Sequence, residues 1–193
     1  MLVRHGETEW SRERRHTGRT DVPLTDEGRE QARRLREMVR RAAFAAVFVS
    51  PLQRARETCA LAGLNGDAVV DPDLAEWDYG GFEGKTLAEI QAERPGWDLW
   101  RDGPEAGETL ADVERRVERV LGRCRAIDGD VALIAHGHVL RVLTARWLEL
   151  PGAAGRRFVL QPASPSVLGF EHEWTAVRRW NLAVAAGDLL DGT

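Results

Sequence analysis

Met1-Leu2-Val3-Arg4-His5-Gly6-Glu7 opens the chain and carries its strongest structural signal. Three apolar residues run into a cation, an imidazole and a glycine, the pattern of a buried β-strand that ends at a ligand-accessible edge. In an open α/β sheet, ligands sit beyond the C-terminal ends of the strands. A histidine there is either a nucleophile beside an anion-binding arginine or a structural strand-end residue, and matching groups elsewhere must decide. Only three residues precede Arg4, whereas strands commonly run to about five or six residues. Either a central strand tolerates this shortness, or the natural chain begins upstream.

Matching groups occur at two further strand ends. Residues 46–49 form a short apolar run that reaches Ser50-Pro51-Leu52-Gln53-Arg54-Ala55-Arg56, which places Arg54 in the first turn of a helix. Residues 131–135 form a continuous apolar run that reaches His136-Gly137-His138, again strand, histidine, glycine, helix. Helix N-termini add free N–H groups and the positive end of a dipole. Neighbouring parallel strands would gather Arg4, His5, Arg54 and His136 into one pocket suited to a doubly charged phosphoryl group. Singly, Arg54 reads as a surface cation and His136 as a satisfied strand-end residue. Three strand ends with matching residue types are harder to explain as packing.

The intervening periodicities complete an α/β alternation. Thr25 reads as an N-cap with Asp26 and Glu27 in the first turn, and Ala32, Leu35, Val39 and Ala42 follow at helical spacing. Helices are expected at about 52–64, 87–93 and 139–148, with a strand at 67–70. Thr109 and Asp112 resemble a capping box, which opens a helix carrying Leu110, Val113, Val117, Val120, Leu121 and Cys124 on one stripe. Residues 166–171 and 175–180 read as a hairpin that finishes the sheet. The pattern predicts a three-layer α/β sandwich with a mainly parallel central sheet and helices on both faces.

Composition bounds the function. The 193 residues suit one domain with a substantial core, and a net charge of −4 argues against general nucleic-acid binding. Lys85 is the only lysine, so the positive charge is almost all arginine, whose rigid fork suits phosphate and carboxylate ligands. Cys59 and Cys124 are no disulfide framework, no signal peptide is evident, and the longest apolar run, 42–49, is too short to span a membrane. A cytoplasmic protein without membrane or nucleic-acid partners is expected. Oligomeric state is not legible. Residues 81–86 imitate a P-loop, but the first glycine would fall at Tyr79 and no buried strand precedes it. His136 and His138 lack the further ligands of a metal site.

Together these motifs resemble the histidine phosphatases, the superfamily that includes the cofactor-dependent phosphoglycerate mutases. The resemblance rests on Arg-His-Gly-Glu-Thr at 4–8, Ser-Pro-Leu-Gln-Arg-Ala-Arg-Glu-Thr at 50–58 and Ala-His-Gly at 135–137. It extends through Thr17-Gly18, Leu24-Thr25-x-x-Gly28 and the loop from Leu74 to Gly84. It implies a single phosphoglycerate mutase-like domain over 1–193, with a short cover at about 85–108.

It also implies roles. His5 would form a phosphohistidine, Arg4, Arg54 and His136 would hold the phosphoryl oxygens, and Glu76 would act as acid and base, without metal or cofactor. Glu83 and Asp78 lie in the same acidic loop, so the acid is open between them, with Glu76 favoured. Ser11, Thr17 and Gly18 would line the phosphate side, and Ser11 stands where many relatives carry Asn. Phrases around Glu76–Tyr79, Trp100–Gly103 and His136–Arg141 look like those of sugar-bisphosphate phosphatases of the sedoheptulose-bisphosphatase type. Tyr79, Arg101, Gly137, His138 and Arg141 would then contact the substrate, with Trp97 and Trp100 overhanging the site.

The short cover favours water access and thus hydrolysis of small phosphorylated substrates, sugar phosphates or bisphosphates. Phosphoglycerate mutase and α-ribazole-type phosphatase are the alternatives. A non-catalytic phosphate-ligand binder is the remaining one, disfavoured because every expected catalytic group is present.

Overall fold

The computed structural model describes residues 1–40 and 42–182, so 183–193 of the expected domain lie outside the described residues. Six strands form one sheet: β1 (Leu2–Arg4), β2 (Ala46–Val49), β3 (Ala68–Val70), β4 (Val131–Ala135), β5 (Pro165–Glu171) and β6 (Trp174–Arg179), in the order β3-β2-β4-β1-β5-β6. The first four in that order are mutually parallel, and β5 and β6 add an antiparallel hairpin. The sheet is therefore mainly parallel, with helices packed on both faces.

The short β1 is supported from both sides. Arg4 pairs with Ala135 of β4, and Leu2 pairs with Ser166 of β5. The ladder continues past the strand, since the His5 amide donates to the Ala135 carbonyl at 2.9 Å and the Met1 amino group to Val131 at 2.6 Å. A strand interior to a sheet needs few residues of its own when both edges are hydrogen-bonded.

Alternation along the strands builds the two flanking layers. Leu2, Leu133 and Ala135 face a core made with α6 (Leu110–Arg125) and α7 (Gly137–Trp147), whereas Val3, Ala132 and Ile134 face one made with α2 (Asp26–Val39) and α3 (Gln53–Leu61). The α6 stripe buries Val113, Val117, Val120 and Leu121. Thr25 caps α2 as expected, but that helix ends at Val39, and Ala42 is exposed beyond it rather than on the stripe. Short helices α1 (Glu9–Arg12), α4 (Leu87–Glu93) and α5 (Leu99–Asp102) lie in the connections. Cys59 and Cys124 are free thiols, and burial pushes Cys59 up to about 11. Among the described residues, no helix is long and apolar enough to cross a membrane.

Candidate active site

The parallel order β2-β4-β1 brings three C-terminal strand ends side by side, with β4 in the middle. His5 follows β1 and His136 follows β4, and their ring centroids lie 5.0 Å apart at 61°. Gly6 permits the turn after His5, because a Cβ there would collide with the Gly28 carbonyl oxygen. The Gly6 amide donates to Thr58 Oγ1 at 3.0 Å, which ties this turn to α3.

One hydrogen bond sets the His5 tautomer. Nδ1 lies 2.7 Å from the Gly6 carbonyl, which can only accept, so Nδ1 carries the proton. Burial, reinforced by the charges of Arg54 and Arg4, holds His5 well below the usual imidazole range. The ring is therefore neutral near pH 7, and Nε2 keeps a free lone pair. Beside it, Arg4 Nη1 donates to the Leu160 carbonyl at 2.7 Å, while the buried Arg4 Nε has no hydrogen-bond partner among the described residues. An unpartnered buried donor next to a neutral nucleophile is the group an oxyanion would satisfy.

Arg54 and His136 are arranged differently. Arg54 is fully buried, and its fork donates to the carbonyls of Thr20 (2.9 Å), Thr17 (3.0 Å) and Gly18 (2.9 Å). Its Nε donates to His136 Nδ1 at 3.2 Å, which leaves His136 Nε2 as donor to Ser50 Oγ at 2.6 Å. Burial, with the charge of Arg54 next, holds His136 well below the usual range. Neither side chain lines the open cavity. Arg54 and His136 thus engage most of their donors with protein, four of the five Arg54 N–H groups and the His136 Nε2–H, and the remaining Arg54 Nη1 donor faces Asp21 at 3.8 Å. They form a positively charged floor that positions the 17–20 loop.

Glu76 sits on the cavity wall over the N-terminus of α7. Its carboxylate accepts from the amides of His138 (3.0 Å), Val139 (2.9 Å) and Trp77 (2.9 Å). His136 occupies the N-cap position without a capping side-chain bond, so Glu76 supplies the cap from another segment. Gly137 lies between, where a Cβ would be 3.6 Å from Arg4 Nε and 3.7 Å from Glu76 Oε2. Arg116 braces the loop behind Glu76, donating to the Ala75 carbonyl at 2.6 Å and pairing with Glu108 at 2.9 Å.

The other two acidic candidates lie outside the cavity. Glu83 accepts from the amides of Arg19 (2.6 Å) and Thr20 (3.0 Å) and from the Thr20 hydroxyl, while Asp78 pairs with Arg19 at 2.6 Å. Both organise the loop around Gly18.

The cavity has a volume of about 650 Å³, and Arg4, His5, Glu76, Tyr79, His138 and Arg141 all line it. Ser11 and Thr17 also reach it, but the Ser11 hydroxyl donates to the Thr8 carbonyl at 2.9 Å in the capping box of α1, and the Thr17 hydroxyl donates to Arg15 at 3.0 Å. Gly18 contributes its carbonyl to Arg54 instead of lining the cavity.

Arg101 corrects the expectation for the cover. Asp98 caps α5, and Arg101 turns outward onto Asp102 (2.7 Å) and the Gly96 carbonyl (2.5 Å), with its side chain 65% exposed. Trp97 packs edge-on against Phe82 and Trp100 against Trp77, so neither tryptophan overhangs the opening. In their place, Arg12 at the end of α1 and Arg14, Arg15 and His16 just beyond it line the cavity. The sequence signal for these was a run of cations just past the Arg4–Thr8 motif, which composition alone made unremarked in an arginine-rich chain.

A three-layer α/β fold with a neutral histidine and arginines at adjacent strand ends is the arrangement of a phosphate-handling enzyme. The chain belongs to the histidine phosphatase superfamily (branch 1), which matches residues 1–183, and it is a phosphatase. An acid phosphatase of Mycobacterium tuberculosis is 41% identical over 176 residues, covering 89% of this chain and 86% of that protein. The sedoheptulose 1,7-bisphosphatase of Saccharomyces cerevisiae is 37% identical over 183 residues, covering 78% of this chain and 67% of that protein. A solved structure of an open-reading-frame product from Mycobacterium tuberculosis superposes with a TM-score of 0.91 at 39% identity, covering 95% of this chain and 97% of that one.

Proposed function

We propose that this phosphatase hydrolyses small phosphomonoesters, sugar phosphates and bisphosphates foremost, through a phosphohistidine at His5 and without a metal. The observation that carries this reading is the His5 tautomer: Nδ1 is tied to the Gly6 carbonyl, so the Nε2 lone pair is the free end beside Arg4. His5 Nε2 attacks phosphorus, an N–P bond forms, and the P–O bond to the leaving alkoxide breaks as the Glu76 carboxyl hands it a proton. Water then attacks phosphorus, Glu76 takes its proton, and the N–P bond breaks to release phosphate and regenerate neutral His5. Splitting one displacement into two is the gain of covalent catalysis. Arg4 supplies the hydrogen-bonding cation, and the Arg54–His136 floor adds fixed positive charge without a direct bond to the ester.

The outer cavity supports an anionic substrate with a second charged group. Arg12, Arg14, Arg15 and Arg141 reach it, and Arg14 makes no ion pair among the described residues. The name of one relative, the sedoheptulose 1,7-bisphosphatase, supports the same reading. The test is phosphate release from a panel of sugar mono- and bisphosphates by the wild-type protein and His5→Ala, with and without chelator. A base-stable, acid-labile phosphoenzyme is expected in the wild type alone, with full activity in chelator. Strict dependence on added Mg²⁺ or Zn²⁺, or isomerisation of phosphoglycerates with little phosphate release, would overturn the proposal.

A further inference from the structure

Two imidazoles on the cavity wall, His16 and His138, take no part in the proposed chemistry. Their rings are parallel within 5° with centroids 6.4 Å apart, and both line the cavity that holds His5. Each has one nitrogen fixed by the protein. His16 Nδ1 lies 2.9 Å from the Lys85 carbonyl, an obligate acceptor, so that nitrogen carries the proton and Nε2 is a lone-pair acceptor. His138 Nδ1 lies 2.6 Å from the Tyr79 hydroxyl.

Tyr79 settles the second tautomer. Burial pushes its phenol well above the usual range, so it stays protonated, and its hydroxyl has no other protein partner among the described residues. It donates to His138 Nδ1, and His138 Nε2 therefore carries the proton of a neutral ring. Burial also holds both imidazoles below their ordinary range. The rings cannot readily turn: His16 packs edge-on against Tyr79 and Trp97, and His138 packs edge-on against Trp77 and tilted against Trp100. Neither Nε2 has a hydrogen bond among the described residues, and neither is sealed from solvent.

We infer that His16 and His138 form a hydroxyl-reading wall, one Nε2 accepting and the other donating, which selects phosphate esters of polyols over those of aryl or simple alkyl alcohols. The inference rests on the phosphatase reading of this cavity. A hydroxyl group both donates and accepts, so a polyol chain satisfies both nitrogens. A second phosphate offers only acceptors here and would face the His16 lone pair. The arginines beyond are the better place for such a group. An aryl ester leaves both ring nitrogens without partners once water is displaced, which is the way a polar site rejects an apolar analogue.

The experiment compares kcat/KM for ribose 5-phosphate with that for phenyl phosphate. His16→Phe and His138→Phe keep a ring in place and are each expected to lower the ribose-to-phenyl ratio by about tenfold, the loss of one buried hydrogen bond. His16→Gln returns an acceptor near the Nε2 position and is expected to recover part of the ratio. Ratios within twofold of wild type in both Phe variants would overturn the wall. Should those variants fail to fold, ¹⁵N–¹H two-bond correlations on the wild-type protein decide: the inference requires protons on His16 Nδ1 and His138 Nε2, and the opposite tautomer at either ring overturns it. Failure of the catalytic reading looks different, as phosphate release from both esters would then survive His5→Ala.

Discussion

The floor beneath the cavity and the cavity wall use the same residue types in opposite ways. On the floor, Arg54 spends its fork on three carbonyls and His136, and His136 completes its second bond to Ser50. On the wall, Arg4 keeps an unpartnered Nε and His5, His16 and His138 each keep one free nitrogen. Paired groups hold geometry, and unpaired ones are left for a ligand. Burial does not separate the two sets, since His5 is 5% exposed and Arg54 0%. Hydrogen-bond accounting does.

Substitutions can break that contrast, beginning with the wall. His5→Ala should lower phosphate release by at least about 10⁴-fold, the usual scale for losing a covalent nucleophile, in steady-state assays. Glu76→Gln should cost about 10²–10⁴-fold with alkyl phosphates. The loss should be smaller with p-nitrophenyl phosphate, whose leaving group needs no proton, and equal losses on both would argue against an acid role. Arg54→Met tests the floor. It removes the donor to three carbonyls, of which that of Gly18 is buried, and an unsatisfied buried group costs about 1–3 kcal/mol before relaxation, so the urea midpoint and kcat should fall together. A drop in kcat at unchanged stability would instead mean that Arg54 contacts the substrate directly.

Acid should weaken both regions. Burial is the first cause holding His5, His136 and His138 well below the ordinary range, with nearby arginine charges next. In the unfolded chain each takes up a proton near pH ~6.5, whereas in the folded protein it stays neutral to lower pH. The unfolded state then binds more protons, so the stability these groups contribute above pH ~6.5 declines as pH falls below it. Urea midpoints that hold constant or rise from pH 7 to 5 would contradict this. The smallest effect belongs outside both regions: Arg101→Ala should leave kcat/KM unchanged for mono- and bisphosphates, since that side chain faces solvent on Asp102.

Legibility in the sequence followed how local the determinants were. Helix α4 appears at the residues its spacing predicts, Leu87–Glu93, because Thr86 and Glu89 make a capping box within one turn. Helical spacing runs on to Ala42, but α2 ends at Val39, where the chain leaves the core. Glu76, Asp78 and Glu83 share one acidic loop, and only the resemblance favours Glu76 among them. Only the fold puts Glu76 on the amides of α7 and turns the other two onto the Gly18 loop. Arg101 and His16 show the same limit, since each direction is set by a partner the motifs do not announce: Asp102 and the Gly96 carbonyl in one case, the Lys85 carbonyl 69 residues away in the other.

Residue identity and strand periodicity alone determined that Arg4, His5, Arg54 and His136 would converge. Apolar runs that each end at such a residue have only one common edge in a parallel sheet. Tertiary structure alone decided which of these groups remain free to bind. A donor's availability depends on whether a carbonyl from another segment already occupies it, and for Arg54 three such carbonyls come from residues more than 30 positions away. His5 keeps its free Nε2 for the opposite reason: its other nitrogen is satisfied by the carbonyl of the very next residue, Gly6.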